Sequence, residues 1–292
     1  MGDGAALTYV AITPARDEET NLRRVAEALI AQSVRPLKWI IVENGSTDGT
    51  LELARGLAEA HSWIELTTIE PSPGYKRTMA EVAFQAGVDA LAGTGDLVAK
   101  IDADVSFDAD YFKGVLAAFE SDPTLGIASG ACRELHGGTW EELTLLGDHC
   151  WGPSRTYRRP CLEAVLPLEG ALFTLIDETK ARLAGFATRT LVDLHFYHHR
   201  PEATNDVSLW GHWRRQGVGS YVLGYRPTYL LVRCGYRARR QPTAVALIVG
   251  YLSAFWHRTP QYHDRRVIHA IREQQRARQF LATVRSARSA SR

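Results

Sequence analysis

At 292 residues with 45% hydrophobic content, the chain can fill the core of one large α/β domain with extensions, or of two small domains, and it folds without covalent staples. Its four cysteines, Cys132, Cys150, Cys161 and Cys234, stand at wide irregular spacings with no CxxC pair, which excludes a cysteine-based zinc site and a disulfide framework and fits a reducing cytosol. The net charge of +1 hides an asymmetry, because Trp213 to Arg292 holds sixteen arginines, no lysine and two acids, a net +14 against −13 for the remainder.

The first residues, Met1 to Leu7, carry neither a basic segment nor a long apolar core, so a cytoplasmic protein without a signal peptide is expected. Leu7 to Thr13 reads as a strand ended by Pro14. Leu22, Val25, Ala26, Leu29 and Ile30 share one helix face, with Thr20 or Asn21 at its cap. Leu37 to Val42 is a second strand, broken by Glu43-Asn-Gly-Ser-Thr-Asp-Gly49, where Thr47 or Asp48 caps a helix carrying Leu51, Ala54, Leu57 and Ala58. Ile64 to Ile69 continues as strand, Lys76 to Val88 as helix, Leu97 to Ile101 as strand and Tyr111 to Phe119 as helix. Such alternation predicts a mostly parallel sheet with helices on both faces and ligands at the carboxyl ends of its strands.

Past residue 125 the alternation weakens. Ile127 to Ala131 and Ala171 to Leu175 read as strands, Asp177 to Leu183 as a helix stopped by Gly185, and Leu191 to His199 as a short helix ended by Pro201. Ala244 to Trp256 is apolar but well short of the roughly 20 residues that span a bilayer, so a buried or interfacial helix is expected there. His263 to Val284 shows a loose apolar stripe with arginines between, a basic amphipathic helix with a frayed Ser/Ala/Arg end.

Directly after Leu97 to Ile101 come Asp102 and Asp104. Residues two apart on an extended segment point the same way, so both carboxylates can reach one divalent cation, and a hard cation suits a diphosphate-bearing substrate. An Asp-rich turn capping the next helix would use the same residues. Thr13-Pro-Ala-Arg-Asp-Glu-Glu19, Glu43-Asn-Gly-Ser-Thr-Asp-Gly-Thr50 and Asp102-Ala-Asp104, each at a strand end, together resemble the family 2 glycosyltransferases over roughly residues 7 to 120. The resemblance implies the GT-A fold, a Rossmann-like, mostly parallel sheet with helices on both faces, here followed by a helical C-terminal extension. It divides the chain into a nucleotide-sugar half (1–125), an acceptor and catalytic-base half (126–240) and the basic extension (241–292).

By the same resemblance Pro14, Arg16 and Glu18 line the base pocket, and Asn44 contacts the base itself. The family commonly has Asp at that position; the Asn44 amide can accept from a pyrimidine N–H but can also donate, which favours uracil and leaves thymine open. Lys76 and Arg77 would face the diphosphate, although a solvated helix start explains them equally well. Asp102 would meet the ribose or a water on the metal, and Asp104 would ligate Mn²⁺ or Mg²⁺, with His198 or His199 completing the site. Asp193, expected at a helix start after Ala184-Gly-Phe186, is the candidate base, with Asp177 its rival.

His195, Trp213 and Arg214 are the expected acceptor contacts. The expected acceptor is a glycan or a polyprenyl-diphosphate-linked sugar of exopolysaccharide or cell-envelope polymer, reached at an anionic membrane surface through the Arg-rich C-terminus. Nucleic acid is not an expected partner, since the basic tail contains no recognised module. A sugar nucleotidyltransferase would need a glycine-rich loop after the first strand, and Thr13 to Glu19 has no glycine. A nucleotide-sugar-binding protein without turnover is the remaining alternative.

Overall fold

The computed structural model describes residues 6–70, 76–136, 138–143, 149–168, 173–200, 208–239 and 241–276. They form two compact units, 1–200 and 201–292. In the first, β1 (Tyr9–Ala15), α1 (Glu19–Ile30), β2 (Trp39–Glu43), α2 (Thr50–Ala60), β3 (Ile64–Thr68), α3 (Lys76–Ala90) and β4 (Leu97–Ile101) alternate as expected. There follow β5 (Val105–Phe107), α4 (Tyr111–Ser121), β6 (Leu125–His136), β7 (Thr139–Glu142), β8 (Ser154–Arg158), α5 (Arg159–Val165), α6 (Phe173–Leu183) and β9 (Ala187–His198).

One sheet runs β3-β2-β1-β4-β8-β6-β9-β5, with β7 paired to β6. Its first four strands are parallel. Beyond β4 the pairing is mixed: β8 is antiparallel to both β4 and β6, β9 is parallel to β6, and β5 is antiparallel to β9. Alternate residues of each strand bury on opposite faces. Tyr9, Ala11, Leu97 and Ala99 pack with Leu22, Val25 and Leu29 of α1 and with Tyr111, Phe112 and Phe119 of α4. Val10, Ile12 and Val98 pack with Ala83 and Phe84 of α3 and Leu162 and Val165 of α5 on the other side. From β1 the chain crosses one way to β2 and the other way to β4, so the carboxyl ends of these strands flank a crevice where ligands bind in such sheets.

Two expectations past residue 125 are corrected. Ala171 lies outside the described residues, and Phe173 to Leu175 open the helix α6 rather than a strand, leading into the buried run Ile176 to Thr179. Leu191 to His199 is not a helix. Phe196 and His198 are buried while Tyr197 between them is not, the period of a strand. A shift of register against Gly130 and Ala131 absorbs Val192 to Leu194 as a bulge.

The second unit holds α7 (Leu209–Val222), α8 (Pro227–Ala238), a 3₁₀ turn (Pro242–Val245), α9 (Ala246–Trp256) and α10 (Arg265–Gln274). Trp213, Leu230, Ala244, Ala246 and Leu247 form its core. The helices α7 and α9 touch backbone to backbone: a Cβ on Gly217 would fall 2.0 Å from the Leu247 carbonyl oxygen, and one on Gly250 2.0 Å from that of Arg214. With α8 and α10 they belong to the compact unit 201–292. No helix of the described residues is long and apolar enough to cross a membrane.

Candidate active site

The crevice is built from three strand ends. β1 and β2 finish in register, Ala15 beside Glu43, and the loops that leave them are tied together: Asp17 accepts from the Thr47 N–H at 2.7 Å, and its own N–H donates to Ser46 Oγ at 3.1 Å. Asp17 takes a φ of 55° to do so, a left-handed backbone that Asp tolerates better than most residues. Asp48, one of the two expected caps, accepts from the Thr50 N–H at 3.0 Å at the start of α2. Pro14 sits opposite Val42 near the end of β1. Asn44 is buried, and its Oδ1 has no partner; nor has the buried Nε of Arg16. An orphaned buried amide oxygen costs about 1–3 kcal/mol, which a ligand N–H in this crevice would recover.

Beyond β4 stand the two carboxylates. Lys100, buried on β4, ion-pairs with Asp102, so the lysine serves the site and not a sheet edge. The Asp102 N–H donates to the Pro153 carbonyl at 2.8 Å. The antiparallel pairing of β5 with β9 places Val105 opposite His198, and this delivers His198 to Asp104: its Nε2 is 3.5 Å from Asp104 Oδ1 and its Nδ1 is 3.0 Å from Glu134 Oε1. Arg200 pairs with Glu18 and reaches Asp104 Oδ2 with Nε at 3.6 Å.

Burial alone would push the His198 imidazole down, but hydrogen bonding to Asp104, Cys132 and Glu134 outweighs it and raises the group to about 12. Burial likewise opposes ionisation of Asp104, yet His198 and Arg200 hold its carboxyl below the usual range. The linkage that follows is full below about pH 6.5 and is lost progressively as pH rises from there through the raised value.

Asp104 and His198 fit a divalent cation of the Mn²⁺ type, an oxygen and an imidazole nitrogen aimed at one point, with Glu134 orienting the ring from Nδ1. Cys132, Glu134 and His198 also converge, each with a ligand atom within 4.8 Å of the others. Since a metal-ligating imidazole must be neutral, Mn²⁺ binding is expected to release one proton from His198. Calorimetry in buffers of different ionisation enthalpy measures this, and an identical heat in all buffers would contradict it.

The other expected site residues lie elsewhere. His199 turns to Ser106 Oγ, 2.8 Å from its Nε2, and stacks edge-on to Trp140; burial, then Arg24, lower it to about 4. Its Nε2 is engaged there, and of the two histidines it is His198 whose ring contacts Asp104. His195 contacts Arg133 at 3.3 Å and Glu142 at 3.0 Å. Asp193 is exposed on the β9 bulge, five residues before His198, on a strand and not at a helix start. Its rival Asp177 is fully buried and spends both oxygens, on Arg155 Nη1 at 2.7 and 2.9 Å, with Tyr157 OH at 2.6 Å.

Trp213, expected to stack on a sugar, is a core residue of the second unit whose Nε1 donates to Gln241 Oε1 at 3.2 Å. Arg214 is exposed there. The side chains of Lys76 and Arg77 lie outside the described residues. Sequence reasoning missed Arg200 and Glu134. The run His198-His199-Arg200, read as a strand end, carried the signal for the first; nothing local marks the second, which is brought in by β6.

A family profile described as Glycosyl transferase family 2 matches residues 10–159, just over half of the chain. No curated protein matches. Among solved structures, the mannosyltransferase PcManGT from Pyrobaculum calidifontis, in complex with GDP-Man and Mn²⁺, is similar with a TM-score of 0.58 at 17% identity, covering 87% of this chain and 88% of that one. S. aureus TarS 1–349 gives 0.56 at 16% identity, over 88% and 93% of the two chains. GalNAc-T7 with UDP, GalNAc and Mn²⁺ gives 0.55 at 14% identity, over 74% of this chain and 48% of that one. At these identities the likeness establishes the GT-A fold.

Proposed function

The chain belongs to glycosyl transferase family 2, and from that premise we propose that it moves a sugar, with inversion, from a nucleoside-diphosphate sugar to a hydroxyl of a glycan or lipid-linked acceptor. The observation that carries this reading is the juxtaposition at the strand ends: an unpartnered Asn44 Oδ1 for a base N–H, and an Asp104–His198 pair for a diphosphate-bound cation. UDP is the favoured nucleotide, because a uracil N3–H donates to an amide oxygen. Bound there, Mn²⁺ or Mg²⁺ would supply Lewis-acid stabilisation to the departing diphosphate. Arg200 adds positive charge beside Asp104, and Lys100 holds Asp102 in place.

A thermal-shift screen of UDP, dTDP, GDP and CDP, with and without Mn²⁺, tests the donor site. One nucleotide is expected to stabilise the protein only with metal; a shift by none of them, at concentrations near 100 times a micromolar Kd, would remove the donor reading, since about 2.7 kcal/mol of linkage is then missing.

The acceptor is proposed to be lipid-linked, in exopolysaccharide or cell-envelope synthesis, on the strength of the second unit's surface. Leu231, Val232 and Tyr236 of α8 and Val249, Leu252, Phe255 and Trp256 of α9 are exposed, Trp256 at 83%, and Arg237, Arg239 and Arg258 are exposed in the same unit. Exposed apolar helix faces among arginines suit an anionic interface. The protein is expected to sediment with phosphatidylglycerol-containing liposomes at low salt and to be released by a Trp256→Ser, Leu252→Ser pair; no sedimentation would leave a soluble glycan as acceptor.

A further inference from the structure

Around the ring of His198 the fold assembles a second set of metal ligands, softer than the carboxylate of Asp104. Cys132 and Glu134 stand two apart on β6 and so point to one face. β9 runs parallel to β6, with Phe196 opposite Cys132 and His198 opposite Glu134. The result is a thiol, a carboxylate and an imidazole, all buried, each offering one ligand atom within 4.8 Å of the others. His198 Nδ1 lies 3.0 Å from Glu134 Oε1, and Cys132 hydrogen-bonds to the same ring. Cysteine spacing shows no zinc motif along the chain; the register of two strands makes a mixed set that spacing does not reveal.

Ligand type decides which ion such a set suits. Carboxylate and water suit Mn²⁺ and Mg²⁺, whereas a thiolate with an imidazole suits Zn²⁺. Charge points the same way. Cys132 and Phe196 belong to the apolar core, where an unpaired charge is costly, and Zn²⁺ held by one thiolate, one carboxylate and a neutral imidazole sums to zero. Tetrahedral zinc with bonds of about 2.0–2.3 Å sets its ligand atoms roughly 3.3–3.8 Å apart, so the three close in by about 1 Å at most and leave the fourth position to water. The Asp104 and His198 side chains are 13% and 9% exposed, which gives the ion an entry from the Asp104 side.

The two nitrogens of one ring set the consequence. A cation shared with Asp104 needs the lone pair on Nε2 and the hydrogen on Nδ1, where Glu134 accepts it. Zinc shared with Cys132 and Glu134 needs the reverse, the lone pair on Nδ1 and the hydrogen on Nε2, donated to Asp104. A neutral imidazole has one such lone pair. We propose that Cys132, Glu134 and His198 bind Zn²⁺ and that zinc there shuts out the cation of Asp104, an inhibition that rests on the reading of Asp104 and His198 as the Mn²⁺ site. Zinc takes lone pairs from Sγ, Oε1 and Nδ1; the thiol proton and any proton on Nδ1 leave to water, and nothing is oxidised or reduced.

The test uses the full chain, reduced and freed of metal with EDTA. Co²⁺ added in place of zinc is expected to give a sulfur-to-cobalt charge-transfer band in the near ultraviolet, which one equivalent of Zn²⁺ abolishes and which Cys132→Ser lacks. X-ray absorption at the zinc edge of the wild type is expected to show one sulfur near about 2.3 Å; a shell of nitrogen and oxygen alone would place zinc directly on Asp104 and overturn the site, and this result decides where Cys132→Ser does not fold. In the wild type, zinc is expected to return bound Mn²⁺ to the free-ion paramagnetic resonance signal. Cys132→Ser is expected to need more zinc for the same release, by at least the roughly 10-fold that even an outer-shell loss costs. No cobalt band in the wild type, an unchanged band in Cys132→Ser or an equal zinc demand in the two proteins would overturn the site, and Mn²⁺ and Zn²⁺ bound together would overturn the exclusion. Failure of Mn²⁺ to bind the wild type would instead strike the Asp104 reading and the inhibition with it, while the cobalt band still decides the zinc site.

Discussion

Asp104→Ala is expected to abolish the metal-dependent part of nucleotide binding and to lower the transfer rate by about 10³-fold or more, the several kcal/mol that a Lewis acid contributes to a departing diphosphate. The reason lies in how few groups face that point. Asp102 is tied to Lys100, and Asp104 is the carboxylate that lies 3.5 Å from His198 Nε2. The fold is expected to survive, because His198 keeps Glu134 and Arg200 keeps Glu18 when Asp104 is gone. Thermal shifts with nucleotide and Mn²⁺, read beside the metal-free melting temperature, separate the two effects. A variant that still binds nucleotide only with metal would place the cation elsewhere.

The largest loss of stability is expected at Arg155. Its side chain is wholly buried between Asp177 and Glu178, at 2.7 Å from each, and also donates to the Thr174 carbonyl at 3.0 Å. Arg155→Ala would strand the buried Asp177 carboxylate without its cation and leave Glu178 to Arg182, at 3.8 Å, and His149, a change that costs about 3–5 kcal/mol when one partner of a buried pair is removed. Urea unfolding followed by circular dichroism measures it. Adding Asp177→Asn to that variant is expected to recover part of the loss, since it removes the stranded charge. A loss below about 1 kcal/mol would mean that water reaches the cluster.

The first half of the chain was legible because each element there is local and periodic. Leu22 to Leu29 bury on one helix face as their spacing predicts, and Leu97 to Ile101 form a wholly buried strand that delivers Asp102 and Asp104 to its end. The second half failed where tertiary pairing overrides local pattern. Leu191 to His199 has histidines at helical spacing, yet pairing with β6 and β5 makes it strand, and this places His198 and His199 on opposite faces. Glu134, Glu178 and Arg155 carry no motif, since the partners that define them lie 23 to 64 residues away; tertiary packing brings them in. Trp213 looked like a sugar platform because an aromatic beside arginines reads the same whether it faces solvent or a core.

Arg200 has a consequence for how ligands assemble. It links Glu18, at the exit of β1, to Asp104, so the charge of that carboxylate is already balanced by a side chain. Under the proposed function, a cation arriving at Asp104 would displace that guanidinium and an arriving phosphate would give it a new partner, so each ligand would remove the cost of the other. Metal and nucleotide would then be thermodynamically coupled, and by reciprocity each would raise the affinity of the other by the same factor, whichever enters first.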